Sequence, residues 1–539
     1  MERATSFELL LDKDESVRGK PHSKAVAFDS RVNYFSTKIA SAVGMLKSTW
    51  SRLVNRWILR FIMQKTLLFP RAFLIFCAMI LTILGSRNSP LAAQPSEEVK
   101  PAIFSKTKSA SKDNYERNWP QWRGPNMDGV ALHGSPPVEW SEGKNIAWKI
   151  EIPGKGASTP IIWNDLIFLQ TAVPFGEKLE ARQGQRDWQA EDRPIFQGLR
   201  YVPSEKQQRF VALAVNRKTG KTVWQNVLHA AQPHEGVHPT NTWASASPVT
   251  DGERVVFFFG SNGLYVLDMR GNLVWQKDLG SLVTRNGWGE GASPALYDGN
   301  IVVNWDHEEQ SFIAAFNLET GEELWRQGRD EVTAWFTPLV VEHGGKKHVV
   351  TTGAKHVRGY DLETGEELWQ GPGLTVNAIP SPVTSGRMLY LTSGYRGNAL
   401  LAVLLEKARG SLEQSGAILW RYDHDTPYVA SPLLYKNSLY FIKHFRGVLT
   451  SLDVKSGKPN YGPLRLGDLK MIYASPTAAD GRVYLPGRGG KTLVFEHGKE
   501  FKILAVNELD DGFDASPAIV GDELYLRGQK FLYKIEESK

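Results

Sequence analysis

The chain has 539 residues, 42% of them hydrophobic, and a formal net charge of +6. The basic excess belongs to the first 93 residues, which hold 14 of the 64 Lys and Arg but only 6 of the 58 Asp and Glu; the rest carries 50 basic against 52 acidic residues. A near-neutral body gives no global electrostatic case for a nucleic-acid partner, and a single cysteine, Cys77, excludes a disulfide scaffold.

In chain order, residues 1–62 are polar and basic. Residues 71–85, Arg71-Ala-Phe-Leu-Ile-Phe-Cys-Ala-Met-Ile-Leu-Thr-Ile-Leu-Gly85, form an apolar run after a positive flank. The run is too short for a comfortable transmembrane span, and it leads to Pro90-Leu-Ala-Ala93, as in a secretory signal. Counted from Met63, residues 63–93 make a conventional signal peptide cleaved near Ala93, which leaves 1–62 as a non-native extension. The alternative is a cytoplasmic tail ahead of an uncleaved signal anchor, the one membrane attachment this reading allows. Cys77 follows Phe76, whereas a lipid-modified cysteine needs a small residue before it. The expected location is outside the cytoplasm, periplasmic or secreted, with 94–116 as a linker.

From residue 117 onward the chain repeats itself. Ser/Thr-Pro anchors fall at Pro160, Pro248, Pro294, Pro338, Pro382, Pro432, Pro476 and Pro517, at intervals of 88, 46, 44, 44, 50, 44 and 41 residues. The copy at Pro294 is representative. Asp298-Gly299-Asn300 supplies the positive-φ residues of a tight hairpin; Ile301–Trp305 and Ser311–Phe316 are β-branched and aromatic runs; Glu319-Thr320-Gly321 turns the chain again before Glu322-Glu-Leu-Trp325. No sustained 3.6-residue apolar period occurs after residue 100, so helices are minor. A period of roughly 40–50 residues with four short strands per unit predicts an all-β chain, an eight-bladed β-propeller of four-stranded antiparallel blades.

A tryptophan ends most units, at Trp224, Trp275, Trp325, Trp369 and Trp420, with Tyr461 and Leu504 in the sixth and seventh. The eighth unit stops after three strands. Asn145-Ile-Ala-Trp148-Lys-Ile-Glu-Ile152 supplies the missing strand, so an N-terminal strand closes the ring and leaves no open edge. Residues 174–208, charged and rich in Gln, form a surface insertion in the first blade that is positioned to cap the channel mouth.

Leu318-Glu-Thr-Gly-Glu-Glu-Leu-Trp325 and Leu362-Glu-Thr-Gly-Glu-Glu-Leu-Trp369 resemble the tryptophan-docking motif of the PQQ-repeat β-propellers, and Asn118-Trp-Pro-Gln-Trp122-Arg-Gly-Pro-Asn-Met-Asp-Gly129 resembles the lead-in of an exported bacterial subgroup. The resemblance covers about residues 117–539. It implies a propeller in which each Trp packs flat between blades. The family spans quinoprotein dehydrogenases and non-enzymatic relatives such as the BamB-type outer-membrane assembly factor, and fold alone does not choose between them.

Candidate site residues gather where a propeller places its ligands, on the face that carries the loops into the innermost strands and the turns between second and third strands. Blades four to eight each place Arg-Gly in that turn, at Arg358, Arg396, Arg446, Arg488 and Arg527, a series suited to carboxylates or phosphates. The loops into the innermost strands add Trp243, Trp288, Glu290, Trp335, Asn377, Tyr428, Tyr473 and Asp514. The aromatic groups there can stack a flat ring or a sugar, or can pack between blades. His234 and His238 are spaced as zinc ligands are on a helix, but Pro233, Gly236 and Pro239 place them in a loop; with Glu290 they are weak metal candidates. His307-Glu308-Glu309 sits at a hairpin tip, with solvation the ordinary reading and calcium the alternative.

The function expected from these residues is a non-catalytic, monomeric binding or scaffold module for an envelope protein, a peptide, an anionic small molecule or a glycan, with no cofactor. The alternative, implied by the resemblance, is a PQQ- and calcium-dependent dehydrogenase of alcohols or aldoses, with Asp514, Glu290 and Asn377 as catalytic candidates. Outside the leader the chain has neither the cysteine pair that lids the quinone in many such enzymes nor a Cys-x-x-Cys-His haem site.

Overall fold

β-branched and aromatic runs separated by Gly, Asn and Asp turns fold as short strands throughout the repeat region. The computed structural model describes residues 112–182, 202–443, 447–469 and 471–538. The expectations for 1–62 and 63–93, most of the 94–116 linker and the centre of the 174–208 insertion lie outside those residues. Apart from one short helix, Lys112–Glu116, and three 3-10 turns, the regular structure among the described residues is β.

The strands form eight sheets, each built on four antiparallel strands, arranged as an eight-bladed β-propeller. The first blade is Ile161–Trp163, Leu166–Phe175, Gln207–Asn216 and Thr222–Ala231; the next six occupy 249–277, 295–328, 339–372, 383–422, 433–465 and 477–508. In the eighth, Ala518–Val520, Glu523–Arg527 and Phe531–Ile535 are completed by Ile146–Glu151, which pairs antiparallel with Phe531–Ile535 and sets Lys149 opposite Tyr533. The ring is therefore closed by hydrogen bonds between the two ends of the repeat region.

Neighbouring blades are joined at two radii. Toward the outside, the indole N–H of Trp148, Trp224, Trp275 and Trp325 donates to a carbonyl of the next blade, Arg217, Met269, Leu318 and Leu362, at 3.0, 3.0, 2.8 and 2.7 Å. Each ring lies against the turn glycine that follows. A Cβ on Gly220, Gly271, Gly321 or Gly365 would come within 3.0, 2.8, 2.8 or 2.6 Å of it. Blade five breaks this series. The long 382–432 interval contains Gly410–Ser411, which pairs in parallel with Trp369 and Gln370, and the Trp369 N–H turns to His348 Nδ1 of its own blade. Trp420 then meets Gly457 of blade six, where a Cβ would lie 2.6 Å from the ring.

Toward the axis, the Ser/Thr-Pro anchors form a continuous ring. The backbone N–H of Thr159 donates to the Ser247 hydroxyl, Ser247 to Ser293, Ser293 to Thr337, and Thr337 to Ser381, at 2.9, 2.8, 3.2 and 2.8 Å. Ser381 continues to Ser431, Ser431 to Ser475, Ser475 to Ser516, and Ser516 returns to Thr159, at 2.9, 2.9, 3.0 and 3.2 Å. All eight residues are buried. The proline after each hydroxyl residue explains the pattern. It holds the preceding residue extended and has no N–H of its own to satisfy.

One end of the axis is closed by the lead-in. Trp119 bridges to Ile162, the Pro120 carbonyl accepts from Thr250, and Val130 bridges to Ala478, so residues 119–130 run from the first two blades to the seventh. Arg123, 2% exposed, donates to the carbonyls of Pro476 at 2.9 Å and Pro432 at 2.6 Å, the prolines next to the hydroxyl ring.

Two stability outcomes follow from these contacts. Ser431→Ala strips the acceptor from the buried Ser381 amide and is expected to cost about 1–3 kcal/mol in chemical denaturation. Gly365→Ala adds a collision with Trp325 to a positive φ of 74°, whereas Gly299→Ala, at φ 72° with open space around it, carries backbone strain alone, about 1–2 kcal/mol; Gly365→Ala is expected to lower the unfolding free energy by clearly more than Gly299→Ala.

Candidate functional site

With one end sealed, the axis opens on the opposite face as a funnel whose empty space, open solvent included, is about 1420 Å³. Its floor and lower wall are Trp122 and the hydroxyl ring, including Thr159, Ser247, Ser293, Thr337, Ser475 and Ser516. Above them stands an aromatic wall. Trp288 lies 6.5 Å from Trp335 and meets Tyr395 edge-on at 6.3 Å, Tyr395 stacks on Tyr428 at 4.7 Å, and His238 abuts Trp288 at 5.6 Å. Hydrogen bonds fix the rings. The Trp335 N–H donates to the Gly289 carbonyl at 2.7 Å, and Asn377 Nδ2 meets the Tyr428 hydroxyl at 3.5 Å. Burial raises the Tyr428 and Tyr473 hydroxyl pKa values, so both rings present neutral O–H groups. Asp514 is the one Asp, Glu, Lys or Arg in the lining among the described residues. Arg488 pairs with it at 2.5 Å and 3.1 Å and lies 5.1 Å from the Tyr473 ring centre. Burial nevertheless dominates over Arg488 and keeps the Asp514 pKa above its ordinary value.

Trp335, Tyr428, Tyr473 and Asp514 share this funnel, as do Trp288 and the weak metal candidate His238. The other expected residues among those described do not line it. Trp243 turns aside, donating to the Glu235 carbonyl at 3.1 Å and packing against the core between blades one and two. The arginines are not a common rim. Arg358 is not in a turn at all: it lies within the strand His356–Asp361 opposite Thr351, 6% exposed, paired with Asp330 at 2.5 Å, Glu367 at 3.1 Å and Glu331 at 3.4 Å. Its Gly359 serves Trp369, whose indole leaves no room for a Cβ. Arg527 ends the strand Glu523–Arg527 and is 2% exposed. Arg396 occupies a turn with φ 49° beside the Tyr395 ring, and Arg446 lies outside the described residues.

The weak metal candidates are held apart by protein contacts. His234 Nε2 meets the Leu282 carbonyl at 3.1 Å and His238 Nδ1 the Thr240 hydroxyl at 2.7 Å. His307 bonds Val283 N–H and the Gln310 carbonyl, and Glu308 accepts from Thr333. No group of three or more His, Cys, Asp or Glu side chains able to hold a metal occurs among the described residues.

Glu290 belongs to a second, narrower pocket between blades two and three, with Glu235 beside it. The Glu235 carboxyl accepts from the Thr284 hydroxyl at 2.5 Å and Glu290 from the Ser261 N–H at 2.7 Å. Burial, with a contribution from Glu290, pushes Glu235 up to about 8, and burial alone pushes Glu290 up to about 7. Glu235, Trp122, Tyr395 and Met471 lie outside the sequence-based expectations. Tyr395 directly precedes Arg396 and Glu235 directly follows His234, so both are one residue from an expected position.

Comparison with known proteins agrees with the repeat. The family model described as "Outer membrane protein assembly factor BamB" matches residues 208–377 and 265–415. BamB of Burkholderia pseudomallei (strain K96243) is 25% identical over 210 residues, 37% of this chain and 51% of that protein, so the chain spans about half the length of the curated relative it matches. Among solved structures, BamB from Moraxella catarrhalis aligns with a TM-score of 0.45 and 12% identity over 68% of this chain and 98% of that one. A quinohemoprotein alcohol dehydrogenase, ADHIIG of Pseudomonas putida HK5, aligns with a TM-score of 0.48 and 10% identity over 79% and 82%. The chain is an eight-bladed β-propeller whose residues 208–415 are similar to the BamB family model.

The buried carboxyls make stability depend on pH. Glu235 has an ordinary value of 4.5 when unfolded and about 8 when folded, so the native state keeps a proton that the unfolded state has released across that window. Stability is full below the unfolded value and falls as pH rises toward about 8. Glu235→Gln is expected to flatten the decline in melting temperature between about pH 5 and 8; an unchanged slope places the titration elsewhere.

Proposed function

We propose that this chain is an exported, non-catalytic binding module whose axial funnel receives a segment of an envelope protein. The observation that carries the reading is the combination of a sealed floor and a fixed aromatic wall: Trp122 and the hydroxyl ring below, Trp288, Trp335, Tyr395 and Tyr428 above. Rigid aromatic rings with polar tips bury large area at little entropic cost, which is why they dominate binding hot spots. Kinship with BamB, an outer-membrane assembly factor by name, supports an envelope partner.

PQQ and calcium fit this funnel poorly. A planar tricarboxylate calls for cationic partners, yet the described lining includes no Lys or Arg and one acid, Asp514. The three residues expected to serve a quinone are held by different partners: Asp514 by Arg488, Glu290 by Ser261 in the neighbouring pocket, and Asn377 by Tyr428. The binding reading therefore includes neither group.

The test is photocrosslinking in cells, with a benzophenone side chain at Met471 of the full-length chain. The expected result is an adduct with one exported envelope protein that falls about tenfold in Trp335→Ala, the loss typical of a buried aromatic anchor. Absence of any adduct overturns the reading, and dye reduction by purified protein supplied with PQQ and calcium would replace it with the dehydrogenase.

A further inference from the structure

Four arginines are buried among the described residues, and three have acidic company. Arg329 forms a two-pronged pair with Asp306 at 2.7 and 3.0 Å, Arg358 pairs with Asp330 and Glu331, and Arg123 has Asp128 close enough to favour its charge. Arg527 differs. Its hydrogen bonds run from Nη1 alone, to the carbonyls of Ser158 at 3.2 Å and Gln170 at 2.8 Å and to the Ser158 hydroxyl, all neutral acceptors. No carboxylate offsets the desolvation, and burial by itself pulls the guanidinium down to about 9. A buried cation without a counter-charge is costly and is normally paired or neutralised.

Arg527 lines a side cavity at the seam between blades eight and one, apart from the centre of the funnel, and its recorded hydrogen bonds leave Nη2 for another acceptor. Gly156 keeps this nitrogen accessible, since a Cβ there would lie 2.3 Å from Arg527 Nη2. Lys155 and Arg488 line the same cavity, and its one acid, Asp514, is already engaged by Arg488. Three basic residues against one acid, with the most buried of them uncompensated, define a pocket for a negative charge.

We propose that this seam is a binding site for a small oxyanion, a phosphate or a carboxylate, received by Arg527 Nη2 with Lys155 and Arg488 around it. Guanidinium forks match the paired oxygens of both groups, and charge-assisted hydrogen bonds to them are the strong ones. The anion neutralises Arg527 where blade eight meets blade one, so its binding also tightens the seam that joins the two ends of the ring.

Calorimetric titration of the full-length protein with inorganic phosphate, and separately with acetate, at ionic strength fixed by sodium chloride, tests this. The expected result is saturable binding of at least one oxyanion, accompanied by a rise in melting temperature that chloride does not reproduce. Phosphate alone or acetate alone identifies the favoured group. Arg527→Met is expected to abolish binding and Lys155→Gln to weaken it about fivefold. Should Arg527→Met fail to fold, Arg527→Lys, which keeps the charge and loses the fork, takes its place and is expected to weaken binding. No saturable response to either ion in the unmodified protein overturns the proposal, as does a response that both variants leave unchanged. Because the titration uses ions alone, it stands or falls independently of what the funnel holds.

Discussion

The ring of eight amide-to-hydroxyl hydrogen bonds is the constraint on which the rest of this molecule depends. It fixes the radius at which every blade begins, and therefore the width of the channel and the level at which the aromatic loops emerge. Each link is an ordinary hydrogen bond, but each joins a different pair of blades, and the last joins residues 357 positions apart. Loss of one link opens a circle and leaves a buried amide without water or partner. The tryptophan contacts at larger radius repeat the same blade-to-blade logic with a bulkier joint, and they tolerate an interruption: blade five replaces its contact with the Gly410–Ser411 excursion.

Much of this was legible in the chain. The Ser/Thr-Pro spacing marks all eight blades, Asp-Gly and Thr-Gly turns bound the strands, and the orphan strand around Trp148 closes the ring as its sequence implies. The same anchors were legible as punctuation but not as a hydrogen-bonded ring, because a period reveals that a residue recurs and is silent on which neighbour it touches. The arginines show the limit more sharply. Arg358-Gly359 and Arg488-Gly489 are identical dipeptides at similar spacing, yet one lies in mid-strand under Trp369 and the other in a turn beside Asp514. Direction depends on register and on the carboxylates that happen to be near, Asp330 and Glu331 for Arg358, and neither is written in the repeat. Aromatic positions were easier to find, since a loop that must enter an innermost strand has few places to put a large ring.

Charge is distributed in a way that separates the three cavities. The funnel is nearly neutral, its single acid tied to Arg488, whereas the acidic pocket at Glu235 and Glu290 and the basic seam at Arg527 lie on either side of the 234–243 loop. In the low dielectric of a propeller interior these groups act on protons and ions far more strongly than they would at a surface. Trp243 stands between them, lining both side pockets while staying out of the axis.

The lead-in strap has a consequence for how the chain is made. Arg123 waits for Pro432 and Pro476, which follow it by 309 and 353 residues. At the usual pace of protein synthesis that interval is on the order of 15–70 s, during which the closing strand Ile146–Glu151 also lacks its partner. A nascent chain therefore carries an unsheltered guanidinium until blades six and seven have been made, and an unpaired edge until the last blade arrives. A chain of this design is best held unfolded until it is whole.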